Sequence, residues 1–421
     1  MPAFQTSPGM RDILPPESER WRRFDAVFAA VAESAGYGQL MTPVLEDLGV
    51  FARLGEGGEG VSKEMYQFTD KGGRDVALRP EVTASVCRAF AQHRPTTPWK
   101  VWYSGPNFRY EKPQRGRYRQ FDQVGIEVVG VDDPMLDVEV IALADEFFRA
   151  LGLRRITLIV NSLGEPEDRT RYIEALRAHF ESFPEGLSAT SRETLLRNPL
   201  RVLDSKRPED QAAIAAAPQI ADFHSPAAAE HFEAVQAGLR ALGVDFVVEP
   251  KLVRGLDYYR RTIFEFQSDA LDSAQNALGG GGRYDGLVEA LGGPPASGVG
   301  FALGLDRTLI ACDEEGVFQV LPRRLDAFVV DVTGGLQAAA ITAALRAAGL
   351  TADRGFDNRS MKAQMKLANR SEAAYAVIIG EDEVAAGTVV VKPMDGGEQT
   401  NVPRSELVAR IQRPTGTDRH D

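Results

Sequence analysis

Side chains able to hold a charged ligand are concentrated in residues 101–130, VWYSGPNFRYEKPQRGRYRQFDQVGIEVVG. Arg109 ends an aromatic and apolar run, and Arg115, Arg117 and Arg119 crowd the segment that also carries Pro113 and Gly116. Beyond it Val124, Ile126 and Val128 alternate with Gln123, Gly125 and Glu127, and a period of two puts the two sets on opposite faces of a strand. A guanidinium keeps its charge and offers a fork of donors that fits phosphate or carboxylate. With a carboxylate and an amide on the same face, the stretch suits a ligand with both anionic and cationic parts. A solvated antiparallel face is the other reading of the same pattern. Between Lys100 and Arg119 six basic residues stand against one acid, Glu111, in a chain where 60 acids outnumber 48 bases.

Three other stretches carry candidate chemistry. In 78–83, Leu-Arg-Pro-Glu-Val-Thr, the Glu81 carboxylate can meet an ammonium and the Thr83 hydroxyl can assist; the same residues also read as an ordinary helix start with an acid in its first turn. Arg307 falls near the start of an expected helix, where a cation opposes the helix dipole, so an anionic ligand or a carboxylate should compensate it. Four successive glycines, 279–282, precede Arg283 and Tyr284; their entropic cost implies close packing or close approach of a ligand.

Positioning these groups requires the following elements. Residues 101–130 read as a long antiparallel hairpin with Arg109 at the end of the outgoing arm. Trp21, Phe24, Val27, Phe28, Val31 and Ala35 recur at helical spacing, stopped by Gly36 and Gly38. Residues 40–45 form an extended run that Pro43 confines to an edge or an interface. Short strands at 66–69 and 75–78 flank the turn Lys71-Gly72-Gly73, and a helix follows at 84–90. Leu136, Val140, Leu143, Phe147 and Leu151 give a core helix, with a buried strand at 156–160. Residues 165–245 change character, with helices at 169–180 and 227–242 around a polar middle at 184–218. Strand signals return at 245–249 and 263–267, and 298–304 is strand-like with a helix after it. Strands at 328–332, 377–380 and 388–392 alternate with helices at 336–348, 360–370 and 404–413, which indicates a small α/β unit. The expected layout is 1–164 and 246–322 as two parts of one core, 165–245 as a helical insertion, 323–412 as a C-terminal α/β domain, and 413–421 as a polar tail.

Composition excludes several classes. A length of 421 residues with 43% apolar content suffices for two or three cored domains. A net charge of -12 argues against nonspecific coating of nucleic acid, although not against a local basic site. Cys87 and Cys312 lie in no CxxC or Cys/His cluster, which favours a reducing, cytoplasmic setting. The N-terminal segment lacks a signal-peptide pattern, and no apolar run approaches a membrane span. The glycines of 55–60, GEGGEG, follow no Walker pattern.

With these stretches in view, the chain resembles the bacterial histidyl-tRNA synthetases, homodimeric class II aminoacyl-tRNA synthetases, over nearly its full length. The resemblance rests on GMRDILPPE at 9–17, KEMYQF at 63–68, LRPE at 78–81, residues 105–130, LVRGLDYY at 252–259, GGGGRYDG at 279–286 and GFALGLDR at 300–307. It implies an α+β class II catalytic core, an antiparallel sheet flanked by helices, with a helical insertion and a C-terminal mixed-sheet α/β domain. The hairpin is then motif 2, the Pro43 strand with its preceding helix is motif 1 at the dimer interface, and Gly300 to Arg307 is motif 3.

The implied reaction condenses L-histidine with ATP, then passes the histidyl group to the terminal adenosine of tRNA(His). By resemblance, Arg109 and Arg254 are catalytic at the α-phosphate, Arg307 holds the γ-phosphate, and Glu111 and Arg117 also contact ATP, with Mg2+ shielding the remaining phosphates. Glu81 and Thr83 take the α-ammonium of histidine and Gln123 lies near its carboxylate. Glu127 and Tyr259 read the imidazole nitrogens, with Tyr258 and Tyr284 lining the same pocket. Gln114 and Arg115 approach the tRNA acceptor end, the insertion clasps the acceptor stem, and the terminal domain reads the anticodon. Arg354, Arg359, Lys362, Lys366 and Arg370 form a basic surface there, or an ordinary solvated helix face.

Three departures from the family pattern stand out: Val82 where LRPEGT is usual, GEGGEG in place of a TD-containing sequence, and Asp122 for a frequent histidine, expected by parity on the hairpin's apolar side. The competing reading is the non-catalytic regulatory subunit of ATP phosphoribosyltransferase, which shares the core but ordinarily lacks the terminal domain.

Overall fold

The computed structural model describes residues 4–52, 64–183, 186–203, 205–254, 258–271, 275–319 and 324–412. It divides into two compact units, Met1–Val320 and Leu321–Asp421. The 55–60 loop lies outside the described residues.

The first unit is organised by an eight-stranded sheet. Its strands, in chain order with the three of a smaller sheet, are β1 (Gly38–Gln39), β2 (Leu45–Asp47), β3 (Tyr66–Thr69), β4 (Asp75–Leu78), β5 (Trp99–Phe108), β6 (Gln120–Val129), β7 (Ile156–Ser162), β8 (Val247–Val248), β9 (Arg260–Ser268), β10 (Ala277–Arg283) and β11 (Gly298–Gly304). The large sheet runs β1-β5-β6-β11-β10-β9-β7-β8, antiparallel except for the β1/β5 and β7/β8 edge pairs, and β2-β4-β3 form the small one. The hairpin expected at 101–130 is β5 and β6, ten residues each, in register from Trp99 opposite Val129 to Phe108 opposite Gln120.

One face of the sheet is closed by the helices Glu17–Ser34 and Pro134–Ala150, whose Phe24, Phe28 and Phe147 meet edge to face at 5.0 Å over Val124, Ile126 and Phe301. The helix Pro226–Ala241 joins this core through Phe232, Val235 and Leu239. A separate core built on Tyr172, Leu176, Phe180 and Leu195 holds the helices Pro166–Glu181 and Ala189–Arg197 together. The described residues of the polar middle are organised there around Asp210, which accepts hydrogen bonds from Ser188, Ser191 and Ser205.

One local expectation changes, and another, close packing at the glycine run, is met. The extended run at 40–45 does not pair as one strand: β1 ends at Gln39 and β2 begins at Leu45, with Pro43, which has no N–H to donate, between them. The glycine run becomes a central strand, β10, between β9 and β11. A Cβ on Gly281 would lie 1.9 Å from the carbonyl oxygen of Gly300, and one on Gly280 would lie 2.3 Å from that of Phe264. Strand propensity is overridden here by the closeness of the neighbouring backbones.

The second unit has the strands β12 (Ala327–Asp331), β13 (Ala352–Arg354), β14 (Tyr375–Ile379), β15 (Thr388–Pro393) and β16 (Thr400–Pro403), in the order β13-β12-β14-β15-β16. The first three are parallel and the last two antiparallel, with the helices Leu336–Ala347, Met361–Arg370 and Leu407–Gln412 packed on the sheet. Its core is aliphatic, centred on Val329, Val377, Val389 and Val391.

Candidate active site

On the face of the large sheet opposite the helical core lies a cleft of about 730 Å³. Its floor is β6, β10 and β11, and its wall is the junction between β4 and the helix Thr83–His93. Of the residues singled out in the sequence, Glu81, Thr83, Arg109, Glu111, Arg117, Gln123, Arg254, Tyr258, Tyr259 and Arg307 line it, brought together from across some 230 positions of chain.

Two of its cations lack a carboxylate partner among the described residues. Arg109 donates from Nε to the carbonyl of Pro80 at 3.0 Å, and its guanidinium lies 5.2 Å from the Phe121 ring centroid. Arg307, in the first turn of the helix Leu305–Glu315, donates to the carbonyls of Gly116 and Ala277 at 3.0 Å each. Of the two compensations expected for Arg307, an anionic ligand or a carboxylate, the second is not found among the described residues, where Asp306 beside it pairs with Arg11 at 3.0 Å. Burial lowers the pKa of both guanidinium groups. Cations removed from water, whose described hydrogen bonds go to carbonyls rather than carboxylates, suit an anionic ligand. A third, Arg254, is paired with Glu265, and Arg117 is paired with Glu111.

Next to Arg109 the cleft presents acceptors and phenols. Glu81 accepts from the backbone N–H of Ala84 at 2.8 Å and from the Tyr258 hydroxyl at 3.3 Å. Burial raises its pKa, which the Ala84 N–H and the Arg109 charge oppose. Gln123 is fixed by a 3.0 Å bond from Asn107. The rings of Tyr258 and Tyr259 lie 4.7 Å apart, and burial keeps both phenols protonated, Tyr259 with its pKa pushed up to about 12.

Glu127 and Tyr284 sit differently from expectation. Neither lines the open cleft; both are buried behind it. Glu127 takes hydrogen bonds on Oε1 from Thr83 at 2.7 Å and Tyr103 at 3.3 Å, while its Oε2 and the Tyr284 hydroxyl have no partner among the described residues. Burial pushes the Glu127 carboxyl up to about 8, against the pull of Thr83 and with the charge of Glu81 adding to the rise. The Tyr284 hydroxyl lies near enough to oppose that rise as well, so the nearest donor to Glu127 beyond Thr83 and Tyr103 is this phenol. Gly300 makes the room: its Cβ would lie 1.8 Å from Oε2 of Glu127.

Asp122 lines the cleft, although strand parity assigned it to the apolar face. At the sheet's end it faces Asp306 and Asp25, and burial together with these charges raises its carboxyl to about 6. Val82 packs in a small cluster with Val86, Val101 and Tyr103, so its branched side chain is absorbed by the wall rather than the cleft floor. Gln114 and Arg115 lie on the exposed tip between β5 and β6, where Arg115 pairs with Glu314 at 3.1 Å.

Sequence reasoning missed Tyr103, Phe121 and Glu265. Phe121 shares its parity with Gln123 and was findable; Glu265 lies on β9, three strands from the hairpin along the sheet, and only the sheet order brings it to Arg254. Among the described residues no cluster of three or more His, Cys, Asp or Glu could cage a metal, and none of their helices is long and apolar enough to cross a membrane.

Comparison with known proteins agrees across the chain. Residues 9–308 match the family model for histidyl-tRNA synthetase, and residues 326–413 match that for an anticodon binding domain. A histidine–tRNA ligase of Rhodococcus erythropolis is 47% identical over 414 residues, covering 97% of each chain. That of Geobacillus kaustophilus is 44% identical, covering 99% of this chain and 100% of its own. The crystal structure of apo S. aureus histidyl-tRNA synthetase superposes with a TM-score of 0.82 at 35% identity, covering 97% of this chain and 100% of that one.

Proposed function

Since the chain belongs to the histidyl-tRNA synthetase family, and is a histidine–tRNA ligase that activates histidine with ATP and transfers it to tRNA(His), we propose the following division of labour in its cleft. The observation that carries it is the pair of cations without carboxylate ion-pair partners among the described residues, Arg109 and Arg307, in one cleft with Glu81 and the two tyrosines, Arg109 being the cation next to Glu81. A triphosphate satisfies the cations and an amino acid the carboxylate and phenols, with its carboxylate meeting the α-phosphate where Arg109 adjoins Glu81.

Arg109 binds the α-phosphate and Arg307 the γ-phosphate end, with Glu111 and Arg117 beside the nucleotide. Glu81 and Thr83 hold the α-ammonium, and Gln123 keeps the carboxylate of histidine near the α-phosphorus. One carboxylate oxygen attacks that phosphorus and pyrophosphate leaves on the opposite side. Arg254, released from Glu265 toward the phosphate, stabilises charge on the pentacovalent centre without moving a proton. Glu127 and Tyr259 read the imidazole, one nitrogen each, with Tyr284 and Tyr258 completing the pocket. This requires the Tyr258–Tyr259 wall to open toward Glu127, whose unpaired Oε2 supplies the acceptor. In the second step a terminal adenosine hydroxyl of the tRNA attacks the acyl carbon and AMP leaves.

Magnesium fits as an ion carried in on the triphosphate: Glu265 offers one carboxylate at the cleft and phosphate oxygens supply the other donors. When bound it neutralises phosphate charge. The chain acts as a cytoplasmic homodimer, a reading supported by exposed Met41, Leu45 and Phe68 around the small sheet. Gln114 and Arg115 approach the acceptor end, residues 165–245 the acceptor stem, and the C-terminal unit the anticodon.

The test is exchange of labelled pyrophosphate into ATP. Histidine should support it and other amino acids should not, and loss of exchange on Arg109→Ala or Arg307→Ala should follow from a raised ATP KM. An unchanged ATP KM in both variants overturns the assignment of the phosphate end.

A further inference from the structure

Among the described residues, the only one other than glycine with a positive φ inside a β-strand is Arg261, at 47°. It stands two residues past Tyr259, where β9 begins. On the neighbouring strand Gly282 is in register with Ile263 and Arg283 with Arg260, so Arg261 and Thr262 have no residue opposite and form a bulge. Bulges re-aim the side chains beside them. A left-handed backbone is unfavourable for a residue with a Cβ, and it persists only where the surroundings hold it.

Those surroundings are specific. The Arg261 N–H donates to the carbonyl of Gly164 at 3.1 Å, and its own carbonyl accepts from the N–H of Leu163 at 2.8 Å. From the guanidinium, Nε donates to Glu165 and Nη1 to Asp132, each at 2.7 Å. A guanidinium presents these donors in a fixed fork, so one side chain clasps carboxylates from two different elements. Glu165 is the N-cap of the helix Pro166–Glu181, its N–H donating to Asp168 at 2.9 Å. Asp132 precedes the helix Pro134–Ala150 and also lies 3.4 Å from the buried guanidinium of Arg283, the residue before Tyr284. One charged cluster thus anchors the chain just after Tyr259 and just before Tyr284.

The tyrosines have reason to need an anchor. Tyr258 and Tyr259 line both the main cleft and a second cavity of about 390 Å³, which Glu165, Arg169 and Leu287 also line. Side chains with space on two sides are placed less by close packing than by the backbone that carries them. The Tyr259 ring rests on β10, where a Cβ on Gly282 would lie 3.0 Å from its Cδ1. Movement of the bulge therefore carries that ring along β10.

We propose that Arg261 is a positioning residue for histidine recognition: its clasp on Glu165 and Asp132 fixes the bulge that aims Tyr258 and Tyr259 at the amino acid. This rests on the reading of those tyrosines as part of the histidine pocket.

The experiment is pyrophosphate exchange by the full-length enzyme, with unfolding followed in parallel. Arg261→Gly removes both ion pairs while keeping the left-handed backbone accessible. It should raise the histidine KM by about tenfold and leave the ATP KM unchanged. Glu165→Gln and Asp132→Asn preserve shape and should each raise the histidine KM by less. Neither should add to the effect of Arg261→Gly, because the shared partner is already gone. Loss of folded enzyme lowers kcat with both KM values unaltered; that result, or additive effects, overturns the proposal. Should Arg261→Gly not fold, an unchanged histidine KM in both conservative variants overturns it. Tyr259→Phe tests the underlying reading separately. A raised histidine KM there, with an unchanged one in Arg261→Gly, overturns the clasp and leaves the pocket assignment standing; unchanged values in both overturn the two together.

Discussion

Replacing Glu127 with glutamine tests the physical basis of the histidine pocket without any substrate. The carboxyl is fully buried, one oxygen is unpaired, and its pKa is raised from 4.5 to about 8. At 1.36 kcal/mol per pH unit, that difference corresponds to about 5 kcal/mol between its protonated and ionised forms. Between the two values the folded protein holds a proton that the unfolded chain has released. The stabilisation is therefore complete below about pH 4.5 and is lost as pH rises through about 8. Urea unfolding followed from pH 5 to 8.5 should show stability falling with pH in the histidine-free wild type, and Glu127→Gln should remove up to about 1.4 kcal/mol per pH unit of that slope. The difference between the two proteins isolates this residue from Glu81 and Asp122, whose carboxyls are also raised. Histidine should flatten the wild-type slope, because a donor to Oε2 favours the carboxylate. Equal slopes in wild type and variant would refute the reasoning.

Two further outcomes concern the scaffold. Gly281→Ala places a methyl 1.9 Å from a backbone oxygen that cannot rotate away, and should cost about 3 kcal/mol or more, whereas Gly38→Ala on edge strand β1, with nothing within 4 Å, should stay within about 0.5 kcal/mol by the same denaturation assay. Asp137 and Arg283 form a fully buried ion pair at 2.8 Å. Asp137→Ala should destabilise by about 3 kcal/mol, because the buried Arg283 guanidinium then keeps only the longer 3.4 Å carboxylate contacts to Asp132 and Asp285, and Asp137→Asn, which retains the volume and an acceptor, should cost less by the same assay.

Much of the cleft was legible because its floor is a hairpin whose period-two alternation separates Val124, Ile126 and Val128 from Gln123 and Glu127. At Asp122, whose charge meets Asp25 of the helix on the apolar face as parity implies, the cleft also reaches the residue by wrapping around the strand's end. The glycines of β10 carried no strand signal, since their reason is the register of two neighbouring strands. The small unit's β13 and β16, with three and four residues, and the helix Glu381–Ala386 were too short for periodicity to register. Burial was the least legible property: types and spacing named Glu127 and Tyr284, but only the packed fold sets them behind the cleft wall. The resemblance supplied Arg254, whose pairing with Glu265 depends on a sheet order that no local pattern states.

The central claim is that the cleft's arginines divide between binding ATP and stabilising the transition state. Single-turnover formation of histidyl-adenylate by Arg254→Ala, beside ATP affinity measured directly, separates the two. The expected result is a rate lowered by about 100-fold to 1000-fold with ATP affinity nearly unchanged and the fold intact. An unchanged rate, or a loss carried wholly by ATP affinity, would contradict the account.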